Sequence, residues 1–360
     1  MDRLDKARAI INEVDEEMAR LFVKRMEAVK EVAEYKREHG LPVLDAAREE
    51  TVIRNGSARV ADDELRAYYV NFVRNNMELS RSYQHKLLQG MRVAYCGTEG
   101  AFAYIATGKI FPTAQRVAFG DFASAYYAVE KGACDAAVLP VENSYNGEVG
   151  QVTDLMFSGN LYINAVHDLA VSHDLLVIPG TQKSDIKTIV SHPQALGQCA
   201  EYIRANGWQT QEYTNTALAA KLVAEQGDPS VAALASEEAA EVFGLEVLER
   251  NVNASRSNTT RFAVFSRAEE LHAAWHGSHF VLVFTVKNEA GSLAKAIDVI
   301  GQHGFNMRSL RSRPMKELLW QYYFYVEADG NIRTPEGENM LHHLGYYCDR
   351  LKLVGSYEGK

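Results

Sequence analysis

The sequence predicts a multidomain protein with three successive textures: an all-α segment over residues 1–90, an α/β segment over 91–267 and a small α+β segment over 278–357. Apolar residues recur at three- and four-residue steps up to residue 90, as amphipathic helices require. After Met91 short apolar strands alternate with helical stretches, and from residue 278 the order is strand, helix, strand, strand, helix, strand. A chain of 360 residues also exceeds what one hydrophobic core usually organises.

In the first segment Ile10, Ile11, Val14, Met18, Leu21, Phe22, Val29 and Val32 predict one helix of about nine turns. His39, Gly40 and Pro42 end it, Asp45 caps a short second helix that Asn55-Gly56-Ser57 breaks, and Asp62 or Asp63 starts a third running to about Gln89. In the second segment MRVAYCG, CDAAVLPVEN, DLLVIPG and KTIVSHP read as strands and FASAYYAVEKG as a helix, which predicts a largely parallel sheet. SRAEELHAAWHGS reads as a polar connector, or equally as helix-forming residues that prolong an element. In the third, HFVLVFTV, GSLAKAIDVIGQHG, FNMRSLRSRP, LWQYYFYVEA, PEGENMLHHLG and RLKLVGSY give the βαββαβ order of a ferredoxin-like unit.

Composition excludes several classes of function. Hydrophobic residues make up 47% and charged residues 24%, so a packed interior is expected rather than disorder or a fibrous repeat. A formal net charge of -9 argues against a general nucleic-acid partner. No apolar run approaches a membrane span and the N-terminus lacks the pattern of a secretory signal, so a soluble, cytoplasmic protein is expected. Cys96, Cys134, Cys199 and Cys348 form no CxxC pair, leaving neither a zinc framework nor a disulfide scaffold. The GxGxxG fingerprint of nicotinamide enzymes is absent, and no cofactor or metal is expected.

The helical segment carries a row of polar residues: Arg8, Arg25, Lys36, Asp45, Arg48, Glu49, Ser80 and Gln84. Arg25 and Lys36 stand about three turns apart and share a face, as do Ser80 and Gln84. Arg8 lies about 25 Å from Arg25 along the same helix, too far to grip one small molecule, so a functional Arg8 implies an antiparallel second copy. These residues, with PVLDAAREE, resemble the all-helical chorismate mutases. The resemblance implies that Arg8 of a partner chain, Arg25 and Arg48 bind the carboxylates of chorismate. It assigns Lys36 and Gln84 to the breaking ether oxygen and Glu49 to the ring hydroxyl, with Asp45 and Ser80 at the pocket. A pericyclic rearrangement suits such a site, needing restraint and charge stabilisation rather than a nucleophile. The bland reading of the same charges is a solvated helical face.

In the α/β segment GTEGAF is a turn-to-helix passage whose amides could receive an anion. LPVENSYNGEV, SHPQALGQC, ALASEEAAEVFGLEVL and SNTTRF, in this order, resemble the prephenate dehydratases. The resemblance implies a cleft between two lobes, with Thr260 assisting departure of the ring hydroxyl of prephenate. It places Glu142, Asn143, Ser191, His192 and Gln194 in the cleft and makes Arg261 a carboxylate partner. The alternatives are local: Asn143 forming a turn, His192-Pro193 ending a strand, and Thr260 satisfying a backbone group.

The last segment resembles ACT domains, through Gly291-Ser292-Leu293 and through Ser312-Arg313-Pro314, which keeps most of a Glu-Ser-Arg-Pro motif with Arg311 in place of the glutamate. The resemblance implies L-phenylalanine as an effector bound between paired domains, in a homodimer or a tetramer. The whole chain thus resembles the bifunctional chorismate mutase/prephenate dehydratases, which turn chorismate into prephenate and then phenylpyruvate. The competing class is a non-enzymatic amino-acid sensor, which generic residues at Arg25, Lys36 and Gln84 would have favoured.

Overall fold

The computed structural model describes residues 2–254, 258–270, 277–315 and 321–359, arranged in two compact units, Met1–Arg92 and Val93–Lys360. Ser257 of SNTTRF, the middle of the expected connector and the first two residues of LWQYYFYVEA lie outside the described residues.

The first unit is helical. Helix α1 (Arg3–Glu38) begins with a reciprocal cap between Asp2 and Asp5 and gives way to Gly40 at φ 65°. Helix α2 (Ala46–Ser57) is capped by Asp45, whose carboxylate accepts from the Arg48 amide, and α3 (Asp63–Gln89) by Asp62. Helix α2 ends at Ser57, the last residue of the Asn55-Gly56-Ser57 triplet expected to stop it. Gly56 also makes room for a neighbour, since a Cβ there would meet the Tyr69 ring at 3.2 Å. Helix α3 packs against both others, yet Ile10, Ile11, Val14, Leu21 and Phe22 of α1 remain exposed on this protomer.

The second unit begins with a lobe built from β1 (Arg92–Cys96), α4 (Phe102–Ile110), β2 (Gln115–Phe119), α5 (Phe122–Glu130), β3 (Ala136–Asn143), β4 (Gly147–Glu148), α6 (Gly150–Ser158) and β5 (Tyr162–Ala170). A second lobe follows, with β6 (Asp174–Val177), β7 (Thr188–Ser191), α7 (Pro193–Gln198), α8 (Ala200–Ala205), β8 (Gln209–Glu212), α9 (Thr216–Gln226), β9 (Val231–Ala235), α10 (Glu237–Phe243) and β10 (Glu246–Glu249). Strand β11 (Thr259–Ser266) returns to the first lobe and lies between β5 and β3, antiparallel to both.

This return corrects the expected largely parallel sheet. The chain leaves the first lobe along β5 and must come back beside it, so β11 runs in the opposite sense. In the second lobe β7 is parallel to β8 and β9, while β6 and β10 are antiparallel. Both sheets are therefore mixed.

The remaining elements are β12 (His279–Thr285), α11 (Ser292–Gln302), β13 (Asn306–Pro314), β14 (Tyr322–Asp329), α12 (Pro335–Gly345) and β15 (Arg350–Tyr357), in βαββαβ order. Their strands lie as β13-β14-β12-β15, with each neighbouring pair antiparallel. Phe280, Leu282, Phe284, Val326, Ile300 and Met340 form the core between this sheet and its two helices. Gly355 of β15 pairs in parallel with Ile163 of β5, so the sheet continues from the C-terminal domain into the first lobe.

Candidate active sites

In the helical unit, Arg25 and Ser80 meet where α1 crosses α3. The guanidinium donates to the Ser80 hydroxyl and, at 3.3 Å, to the Asn76 carbonyl, and burial lowers its pKa. Ser80 and Gln84 are both buried on α3. Gln84 donates to the Ser80 carbonyl at 3.4 Å, while its Oε1 is buried with no partner among the described residues. Such an unpaired buried acceptor is costly in a finished core and suits a group awaiting a ligand. The Lys36 ammonium donates to the Val43 carbonyl at 2.5 Å, close to the start of α2.

The other polar residues of the row divide. Glu49 is ion-paired with Arg81, so α2 and α3 are joined by a residue the spacing argument overlooks. Arg81 follows Ser80 directly, and charge complementarity with Glu49 was its only available signal. Asp45 acts as a helix cap, and Arg48 and Arg8 are exposed. The unbroken α1 keeps Arg8 about 25 Å from Arg25 within one protomer.

The second site is a cleft of ≈ 290 Å³ where the chain passes between lobes. Asn143, from the end of β3, and Thr260, from the start of β11, are register partners and both line it. Asn143 Oδ1 accepts from the amides of Tyr145 and Asn146 at 3.0 and 3.1 Å, which fixes the orientation of its amide group. Its Nδ2 therefore donates to Thr260 Oγ1 and to Asn258 Oδ1, each at 2.9 Å. Asn258 passes the pattern on by donating to Gln198 Oε1 at 3.1 Å. The same oxygen lies 2.9 Å from Nε2 of His173, which by this logic carries the hydrogen. Burial lowers the His173 pKa, the Gln198 bond opposes the shift and nearby His192 adds to it, which keeps the ring neutral.

Thr260 Oγ1 accepts from Asn143, so its own hydrogen is left for a group in the cleft. First-turn residues of three helices also line this space: Phe102 of α4, Gln194 of α7, whose amide already donates to His192 Nδ1 at 3.3 Å, and Thr216 of α9. Helix N-termini present unsatisfied amides and positive dipole ends, a surrounding suited to an anion. Among the described residues, no group of three or more His, Cys, Asp or Glu could hold a metal ion, and no helix is long and apolar enough to cross a membrane.

Residues 7–85 match the chorismate mutase type II family and residues 93–270 the prephenate dehydratase family. The chain is 30% identical to the bifunctional chorismate mutase/prephenate dehydratase of Escherichia coli K12, over 96% of this chain and 94% of that protein. The chain belongs to the bifunctional chorismate mutase/prephenate dehydratases. It is thus an enzyme with a mutase in its helical unit and a dehydratase over residues 93–270.

Two solved structures are also similar. GqqA, described as a novel type of quorum quenching acylase, is 31% identical with a TM-score of 0.70, over 75% of this chain and 98% of that one. A prephenate dehydratase from Arthrobacter aurescens in complex with L-Phe is 26% identical with a TM-score of 0.68, over 75% and 90%.

Of the residues expected in the dehydratase cleft, Asn143, His192, Gln194 and Thr260 line it. Glu142, Arg261 and Ser191 do not, and this is a correction. Successive residues of a strand face opposite sides of its sheet, so Glu142 and Arg261 point away from the cleft that Asn143 and Thr260 face. Arg261 pairs instead with Glu327 at 3.0 Å and with Glu142 at 3.5 Å. Burial opposes its charge, but the bonds to Glu327 carry its pKa upward. Ser191 is fully buried, donating at 2.6 Å to the Leu234 carbonyl of β9. His173, Gln198 and Asn258 are additional cleft residues. Gln198 was findable one turn after Gln194 on α7, and Asn258 two residues before Thr260.

The motif residues of the C-terminal domain are also separated by strand parity. Gly291, at φ 83°, opens α11, and Leu293 lines a cavity of ≈ 380 Å³ with Val286 and Phe324. Ser292 begins the helix behind Gly291, and Ser312 is exposed on β13. Arg313 faces the first lobe, where it bonds Asp154 at 2.8 Å and Glu148 at 2.5 Å, while Pro314 borders a different cavity.

Proposed function

We propose that Arg25, Arg48 and the Arg8 of a second protomer hold the two carboxylates of chorismate, with Lys36 and Gln84 stabilising the charge that grows on the breaking ether oxygen. Glu49 receives the ring hydroxyl. The observation that carries this reading is the buried Arg25, Ser80 and Gln84 group with an unpaired acceptor. The exposed apolar face of α1 supports the second protomer, since burying it would stabilise a dimer by the hydrophobic effect. Asp45 serves the site indirectly by capping α2 beneath Arg48.

In the dehydratase cleft Thr260 is the group that acts on the leaving hydroxyl. Hydroxide leaves poorly, and the Thr260 hydrogen stabilises it as carbon dioxide departs and the ring becomes aromatic. Asn143 holds the Thr260 oxygen, and the helix N-termini with His192 and Gln194 receive the dianionic prephenate.

The C-terminal domain is read as a ferredoxin-like ACT domain that answers to L-phenylalanine, supported by its βαββαβ order and by the L-Phe complex of the similar Arthrobacter dehydratase. Gly291, Ser292 and Leu293 border the effector site. Such an enzyme belongs in the cytoplasm as a homodimer or tetramer. A chorismate time course with and without phenylalanine tests the whole reading: phenylpyruvate should accumulate without added cofactor and more slowly with the amino acid. Accumulation of prephenate alone would refute the dehydratase half.

A further inference from the structure

The face of β3 and β11 turned away from the cleft is charged. Glu142 and Arg261 stand there, each the chain neighbour of a cleft residue, Asn143 and Thr260. The C-terminal domain covers this face with Glu327 of β14 and Arg311 and Arg313 of β13.

These groups form one chain of alternating sign. Glu327 meets Arg261 at 3.0 Å, Arg261 meets Glu142 at 3.5 Å, and Glu142 meets Arg311. Arg311 meets Glu148 at 3.6 Å, Glu148 meets Arg313 at 2.5 Å, and Arg313 meets Asp154 at 2.8 Å. Every contact except Arg261–Glu142 crosses from the C-terminal domain to the first lobe. Tyr357 adds a bond to Glu327 at 2.5 Å, and Tyr323 adds one to Asp154 at 2.7 Å. Burial opposes ionisation of Glu327, but its bonds to Arg261 and Tyr357 hold its pKa below the usual carboxylate range.

The fit is specific at its edges. Gly150 leaves space that the Arg313 guanidinium occupies, and a Cβ there would overlap it. At the far end of α6, Arg350 and Lys352 donate to the carbonyls of Phe157 and Met156, at 2.7 and 2.8 Å. The helix that follows β4 is thus held at both ends by the C-terminal domain. Half-buried charges of this kind interact more strongly than surface pairs, and removing one leaves its partner uncompensated.

We infer that this chain of ion pairs, with Arg311 at its centre, positions Asn143 and Thr260 for dehydration, so that the C-terminal domain sets the geometry of the cleft from behind. The inference rests on Thr260 being the group that acts on the leaving hydroxyl. Arg311 touches no reacting atom and is a positioning residue. A glutamate at 311, as in the motif this strand resembles, would set three carboxylates together with Glu142 and Glu148.

The test is a double-mutant cycle in the full-length enzyme: Arg311→Gln, Glu142→Gln and the pair, with Arg311→Lys as the conservative variant. Prephenate kinetics are measured together with chorismate consumption, which reports on the separate helical unit and should not change. Each neutral single variant should lose about tenfold or more in dehydratase kcat with little change in KM, because small misplacements of catalytic groups are costly. The double variant should lose no more than the worse single, and Arg311→Lys should recover part of the activity. Losses that multiply, or a lowered melting temperature with wild-type kcat, would overturn the positioning role. A wild-type enzyme that fails to consume prephenate would instead strike the assignment of the dehydratase site.

Discussion

Asn143 Nδ2 donates to Thr260 Oγ1 across 2.9 Å, tying the end of β3 to the start of β11 at the passage between the two lobes. Because two backbone amides fix the orientation of the Asn143 side chain, Thr260 Oγ1 accepts from Asn143 with one lone pair and its hydrogen is directed elsewhere. Replacing Thr260 by alanine should lower prephenate dehydration about 100-fold or more while chorismate consumption stays at wild type. Serine at 260 should keep much of the activity. Retention of the wild-type dehydration rate by the alanine variant would remove Thr260 from the mechanism.

Arg8→Ala and Lys36→Ala should each lower chorismate turnover by about 100-fold or more and spare dehydration. If one site takes Arg8 and Lys36 from different chains, reassociated equal mixtures of the two variants should regain about a quarter of wild-type turnover, since a mixed dimer has one intact site. An unmixed sum of two dead enzymes would show that both residues serve a site within one chain.

Gly355 makes the contact that joins the two parts of the long sheet. A Cβ at this position would overlap the Ile163 carbonyl oxygen, backbone that cannot swing aside. Gly355→Ala should therefore destabilise the second unit by about 1–3 kcal/mol, read as a lower urea midpoint, with the helical unit's mutase activity preserved. An unchanged midpoint would mean that the strands separate at no cost.

Lys352 supplies a pH dependence. Burial, and then the charge of Arg350, push its ammonium down to about 8 against the pull of Glu130. An unfolded lysine titrates near 10.4, so between about pH 8 and 10.4 the unfolded chain holds a proton that the folded chain has released. Stability contributed by this group accordingly rises with pH across that window. The urea midpoint of wild type relative to Lys352→Met should increase from pH 7.5 to 9.5, whatever other groups do in common. A difference that is flat in pH would show that the ammonium is not desolvated.

Much of the fold was legible because its signals are local. Asp45 and Asp62 cap the helices they were expected to cap, Gly40 and Gly90 follow the helix ends, and the βαββαβ order appears at the expected segments. Gly56 lies in the triplet that ends α2 as expected, but its closeness to the ring of Tyr69 is non-local and was not legible. Asn143, His192, Gln194 and Thr260 were recognisable from motif residues that lie at element ends.

The sequence by itself determined where helices and strands form and which family's residues stand at their ends, because periodicity and capping act over a few residues. Only the tertiary structure decided that β11 returns antiparallel, and that Glu142 and Arg261 turn their backs on the cleft to meet Arg311 and Glu327. Which side of a strand becomes a pocket depends on what packs against each face, and those surfaces come from residues more than a hundred positions apart in the chain.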